Sequence, residues 1–226
     1  MTDLPRAFAL SLGQLSDPAI GRVLVKSMLA TLAIFGALGF AAWAGLSAGL
    51  ERFAADYQDF SALIAVVLTL IGGWLLFRVV ALAVLQFFAD DIVRAVERRH
   101  YSAAASVPDL PFSAELTAGA QGLVRVLAVN AVVLPIALLL LVTGIGTALL
   151  LWAANAWLLG RELTEMVWLR HRAGTGDLVP VGGLTRFALG GIVAALLIVP
   201  FVNLLAPVLG AAAATHLIHR ARSRHA

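Results

Sequence analysis

Residues 126–160 read VLAVNAVVLPIALLLLVTGIGTALLLWAANAWLLG, between Arg125 and Arg161, without one Asp, Glu, Lys or Arg. Residues 187–219 read FALGGIVAALLIVPFVNLLAPVLGAAAATHLIH and are fenced in the same way by Arg186 and Arg220. Each stretch holds its helix-breaking residues at its middle: Thr143-Gly144-Ile145-Gly146 in the first, and Pro200-Phe201-Val202-Asn203-Leu204-Leu205-Ala206-Pro207 in the second. At ~1.5 Å rise per residue a single helix of that length would reach ~50 Å, well beyond a ~30 Å hydrocarbon core. The pattern therefore predicts two helical hairpins, 126–160 and 187–219, each entering and leaving a membrane by one face. Arms of about seventeen residues span only ~25 Å, so the turns are expected to stop within the bilayer as re-entrant breaks. Irregular backbone at that depth must be buried in protein or line a wet cavity. Gly144, Gly146, Pro200 and Pro207 are the expected turn residues, and Asn203 can bond the freed backbone groups.

Working outward, the 226 residues are 61% hydrophobic and only 13% charged, with a mean hydropathy of +0.95. Soluble domains carry about 25% charged residues, so a polytopic all-α membrane protein is expected. Two long helices precede the hairpins, at 23–50 and 60–89, the second interrupted by Arg78. An amphipathic segment, 1–22, comes before them. A polar section, 90–125, follows them, and a basic tail, 220–226, closes the chain. All of these form one membrane domain in this reading. Met1–Ser16 is polar and lacks a small-residue cleavage site behind an apolar core, so no cleaved signal is expected and the first apolar segment serves as anchor. In the section 90–125, Asp90, Asp91, Arg94, Glu97 and Arg98 give opposite-sign pairs three or four apart, as on a solvated helix face.

Counting Arg and Lys sets the orientation. Arg6 and Arg22 precede the first helix and Lys26 lies at its start; Arg94, Arg98, Arg99 and Arg125 follow the second; Arg161, Arg170, Arg172 and Arg186 lie between the hairpins. Hairpins keep all of these and both termini on the cytoplasmic side, leaving the acidic loop 51–59 outside. Single crossings would force the linker's arginines outward. The pI of about 10.2 thus belongs to cytoplasmic flanks and the lipid bilayer, and no nucleic-acid partner is expected.

Catalytic residues are not apparent: there is no phosphate loop, no serine elbow and no cysteine. Neither a metal nor a cofactor is expected. His216 and His219, three apart near a membrane exit, could seat a metal, but a polar edge at headgroup level is the preferred reading. Arg78, an ionisable group inside a span, is a pathway or pairing candidate, with Glu162 and Glu165 as possible partners. Asn155, Glu162 and Glu165 share a helix face that suits either a conduit lining or an inter-helix hydrogen-bond seam. Asp17-Pro18-Ala19-Ile20-Gly21-Arg22 reads as a capped turn with proline at the first helical position. There the amides of Ile20 and Gly21, with Arg22 and Lys26 one turn apart, could hold an oxyanion; the competing reading is a pair of snorkelling topology anchors.

This order of elements resembles the CysZ-type sulfate permeases and the wider etoposide-induced-protein superfamily. The likeness is best in Gly144-Ile145-Gly146, in Asn155-Ala156-Trp157-Leu158-Leu159, and in Val199-Pro200-Phe201-Val202-Asn203-Leu204-Leu205-Ala206-Pro207 with the small-residue run to Thr215. It implies an inner-membrane permease or channel with cytoplasmic termini, moving sulfate for cysteine synthesis as a homo-oligomer. Those permeases carry Pro-Gly-Leu-Arg-Arg at the sulfate-binding turn, whereas here Pro18-Ala19-Ile20-Gly21-Arg22 keeps only the second arginine. A function of another class, a membrane scaffold or assembly factor that transports nothing, fits the small-residue packing of Gly190-Gly191 and Ala211–Ala214. Gene neighbourhood would discriminate, since a sulfur-assimilation neighbour favours transport.

Overall fold

The computed structural model describes residues 3–53, 89–108, 110–172, 174, 177–199 and 202–225. Arg78 and Pro200 lie outside the described residues, as does nearly all of the expected helix 60–89. The described residues form eight α-helices: α1 (Asp3–Gln14), α2 (Pro18–Phe53), α3 (Ala89–His100), α4 (Ser102–Ala105), α5 (Phe112–Leu139), α6 (Ile145–His171), α7 (Gly183–Ile198) and α8 (Ala206–His225). Short 3-10 turns at Leu140–Thr143 and Val202–Leu204 connect α5 to α6 and α7 to α8.

Two compact units are present, one of residues 1–20 with 89–226, the other of residues 21–88. In the smaller unit the described chain is α2 from Gly21 onward. Its apolar side chains Val25, Met28, Leu29, Leu32, Leu38 and Phe40 are exposed, and its stretch Pro18–Ala41 is long and apolar enough to cross a membrane.

In the larger unit α8 is the central element. Ala206, Val208, Leu209, Ala211, Ala212, Ala213, Ala214, Leu217 and Ile218 are all buried, because α1, α3, α6 and α7 pack around it. An alanine-rich helix suits that position, since short side chains let several backbones approach one axis. Helix α1 turns Leu4, Ala7, Ser11 and Gln14 inward, spaced three and four apart along its face. Helix α3 buries Ala89, Ile92, Val93 and Val96.

Helices α5 and α6 return upon each other at Gly144, whose φ of 58° and ψ of −58° suit a residue without Cβ. Thr143 Oγ1 accepts from the Gly146 N–H at 3.2 Å, and Thr147 Oγ1 donates to the Ala137 carbonyl at 3.1 Å across the turn. The two helices are 28 and 27 residues long, against the expected arms of about seventeen. They continue past the uncharged stretch, and the charges at its ends form ion pairs within and between the helices. Pro135 stands inside α5. Its fellow residues Leu134, Leu138 and Leu139 are exposed, as is Val142 at 96% beyond the helix, so this arm presents a wide apolar surface, with Ala137 buried on the side that meets α6. With Leu116–Thr143 a second stretch able to cross a membrane, the fold is that of an all-α membrane protein.

Helix α6 crosses α7 at glycines. A Cβ on Gly160 would lie 1.8 Å from the Arg186 carbonyl oxygen, and one on Gly190 1.9 Å from the Ala156 carbonyl oxygen, so the two backbones touch. Trp152 Nε1 donates to the Gly191 carbonyl at 3.0 Å. Since Gly160 meets Arg186 while Ala156 meets Gly190, the helices run antiparallel. The Gly144 turn and the Val202–Leu204 turn therefore share one end of this unit. In the second turn the Asn203 N–H donates to the Val199 carbonyl at 3.0 Å, and Pro207 sits in the first turn of α8, where its missing N–H costs nothing.

Candidate functional site

The arginines that fence the uncharged stretches come together. Arg125 of α5 reaches Glu165 of α6 at 3.0 Å and Glu162 at 3.7 Å. Arg161, one turn before Glu165 on α6, binds it at 2.6 Å. Arg186 of α7 approaches the same carboxylate at 3.8 Å. Three guanidinium groups thus face two carboxylates, leaving an excess of one positive charge, and Arg125, Glu165 and Arg186 are largely withdrawn from water. Arg161 also lies over the Trp157 ring, 5.8 Å from its centroid. Beside the cluster, at the N-terminal end of α7, a cavity of about 80 Å³ is lined by Trp157, Arg161, Gly183, Arg186 and Phe187.

Of the face expected to carry Asn155, Glu162 and Glu165, the two glutamates join this seam. Asn155 instead donates back to the Leu151 carbonyl of its own helix at 2.8 Å. The possible pairing of these glutamates with Arg78 involves a residue outside those described.

A second cluster lies within the same unit, among α3, α6 and α8. Glu97 is 0% exposed. Its Oε1 accepts from His171 Nε2 at 2.7 Å and from His219 Nε2 at 2.9 Å, while its Oε2 pairs with Arg170. Burial pushes the Glu97 carboxyl up, but the hydrogen bonds from His171 and His219 and the charge of Arg170 outweigh it and lower the pKa from 4.5 to about 2. Tyr101 stacks on the His219 ring at 4.6 Å and hydrogen-bonds His216 Nδ1 at 2.9 Å. Gln14 of α1 meets His216 Nε2 at 2.9 Å; with that amide donating, Nδ1 carries the ring proton and donates to the Tyr101 oxygen.

Glu97 is a correction to the sequence reading, which placed it with Arg94 and Arg98 on a solvated face. It lies one turn beyond Val93, so it continues the buried stripe of Ile92, Val93 and Val96, and that 3.6-residue period was the available signal. For His171 the sequence offers none, because its partners come from helices distant in the chain. His216 and His219 also part company: they are three apart on α8, yet one turns to Gln14 and Tyr101 and the other to Glu97.

At the start of α2, the Asp17 carboxylate accepts from the Ala19 N–H at 2.8 Å and pairs with Arg99 at 2.5 Å. The first turn of the helix thus holds a carboxylate of the chain itself. Ile20 is buried; Arg22 and Lys26 stand exposed, one turn apart.

These features define the class: an all-α membrane protein with a positively biased seam between apolar helices. The family of the sulfate transporter CysZ and etoposide-induced protein 2.4 matches residues 7–207, and the chain belongs to that family. No curated protein and no solved structure matches it.

Proposed function

We propose that the protein is an anion permease or channel of the sulfate type, placed in the bacterial inner membrane with both termini cytoplasmic and supplying sulfur assimilation. The observation that carries this reading is the convergence of Arg125, Arg161 and Arg186 on Glu165 and Glu162 beside a small cavity. A seam with surplus positive charge, partly removed from water, favours an anion over a cation, and its electrostatics are less screened than at an open surface. Guanidinium groups offer paired N–H donors matched to oxyanions. The N-terminal end of α7 adds backbone donors to the same cavity. The exposed turn Arg22–Lys26 is proposed as a second place where the anion is met, with Ile20 and Gly21 as amide donors, although Asp17 already occupies the first turn there.

No enzymatic role is proposed. The exposed apolar faces of α5 suit lipid or a second copy of the chain, in keeping with a homo-oligomer. A non-transporting scaffold is the competing reading, favoured by the ion pairs that tie α5, α6 and α7 together and by the backbone contact of α6 with α7. Uptake of radiolabelled sulfate into proteoliposomes decides between them. The permease reading expects rates above empty vesicles that fall when Arg186 is replaced by glutamine. Rates equal to empty vesicles for sulfate and for related oxyanions would leave the scaffold.

A further inference from the structure

We infer that Glu97, His171 and His219 form a binding site for a divalent transition cation of the zinc class. One donor atom from each lies within 4.8 Å of the other two, and all three side chains are buried, at 0%, 8% and 7% exposure. Two imidazole nitrogens and one carboxylate oxygen are a donor set that suits Zn²⁺, with the remaining position open to water.

The spacing is close to what the ion needs. Metal–ligand bonds of about 2.0–2.2 Å in a tetrahedral arrangement set the donors ~3.3 Å apart. The two imidazole nitrogens now stand 2.7 and 2.9 Å from Glu97 Oε1, and the three donors lie within 4.8 Å of one another; to admit an ion the rings must move back from the carboxylate by about half an ångström and come to stand ~3.3 Å from each other. Each imidazole then turns a lone pair to the metal at Nε2. A neutral ring does this by moving its proton to Nδ1, and a charged ring by releasing one proton.

The surroundings supply part of the outer shell of a metal site, with His171 Nδ1 buried and without a hydrogen-bond partner among the described residues. Arg170 holds the second oxygen of Glu97 and fixes the plane of the carboxylate. Tyr101 stacks on the His219 ring and limits its rotation. His216, adjacent in space, is excluded as a ligand because both its nitrogens are engaged by Gln14 and Tyr101. The three ligands come from α3, α6 and α8, which are far apart in the chain, so an ion here would clamp three helices of the larger unit.

The test uses the full chain, purified in detergent and stripped with a chelator. After equilibration with Zn²⁺ and dialysis, bound metal is measured by mass spectrometry, and Co²⁺ serves as an optical probe. One Zn²⁺ per chain is expected, with Co²⁺ giving the visible bands of a low-coordinate nitrogen–oxygen site. Loss of a supporting partner typically weakens metal binding by roughly 10–100-fold, and loss of a ligand should cost at least as much in His171→Ala and His219→Ala. His100→Ala should bind as wild type. Because alanine at a buried site can also disturb folding, His219→Cys supplies an independent readout: it should keep the ion and add a thiolate-to-cobalt charge-transfer band. Wild type holding no Zn²⁺ after dialysis, or a Co²⁺-loaded His219→Cys without that band, overturns the assignment.

Discussion

A carboxylate enclosed by two imidazoles and a guanidinium loses its hydration and regains three hydrogen bonds. For Glu97 the outcome favours the charged form, with a pKa near 2 instead of 4.5. A depressed carboxyl pKa contributes stability that is fully present above the unfolded value and is lost as pH falls through the folded one. In chelator-stripped protein, wild type should therefore melt above Glu97→Gln at about pH 7, and the gap should narrow as pH falls below about 4.5 and be lost as it passes about 2. Thermal unfolding followed by circular dichroism measures this; a gap constant with pH would show that Glu97 acts by shape alone. Arg22 offers a second test at this scale. Charge-assisted bonds to an anion are typically worth ~1.5–3 kcal/mol. If α2 begins at an oxyanion site, Arg22→Ala weakens sulfate binding roughly ten- to a hundred-fold, since ~1.4 kcal/mol is a factor of ten. Arg6→Ala should change it little. Calorimetric titration at low salt gives the comparison, and equal binding by wild type and Arg22→Ala would reduce Arg22 to a topology anchor.

Among the elements, the contact of α6 with α7 is the least tolerant of added atoms. Both glycines at the crossing meet main-chain oxygen, which cannot rotate aside as a side chain would. Gly160→Ala and Gly190→Ala should each cost at least the ~1–3 kcal/mol of ordinary overpacking. At Gly144 the difficulty is conformational: a Cβ there would meet nothing within 4 Å, but φ is 58°, so Gly144→Leu should cost about 1–2 kcal/mol. Among the described residues nothing lies within 4 Å of a Cβ on Gly36, and its backbone is helical, so Gly36→Leu is the mild control. Recovery of monodisperse protein in size-exclusion chromatography should follow the order Gly36→Leu, then Gly144→Leu, then Gly160→Ala. Loss at Gly36 equal to that at Gly160 would contradict the crossing. The sequence shows Gly190-Gly191 as a small-residue pair, but nothing in it says that Gly160 is what they face.

Over the larger unit, the turns after α5 and after α7 lie at one end, and the pairs of Arg125, Glu165 and Arg186 lie near the other, along with His171 at the close of α6. From the count of Arg and Lys along the chain, tags after Met1, within Arg172–Asp177 and after Ala226 are expected to report cytoplasm, and one at Asp56 the outer side. An outer signal from the Arg172–Asp177 tag would mean that each uncharged stretch crosses once, and the hairpins would be lost.

The sequence by itself determined the all-α membrane class and where helices break, because both depend on local quantities: the length of apolar runs, the charges that end them, and glycine or proline within them. It also carried the family likeness, through the Gly144-Ile145-Gly146 and Asn203-Leu204-Leu205 turns. Partners were another matter. The sequence left Arg125, Arg161 and Arg186 as boundary markers, and the fold brought them onto Glu165. It set Glu97 on a solvated face and read His216 and His219 as a polar edge at headgroup level; the fold buried all three and gave the two histidines different neighbours. The reason is physical. Hydropathy and helix period act over a few residues, whereas a buried charge must find its counter-charge wherever packing brings one, here from helices 73 to 122 residues away along the chain.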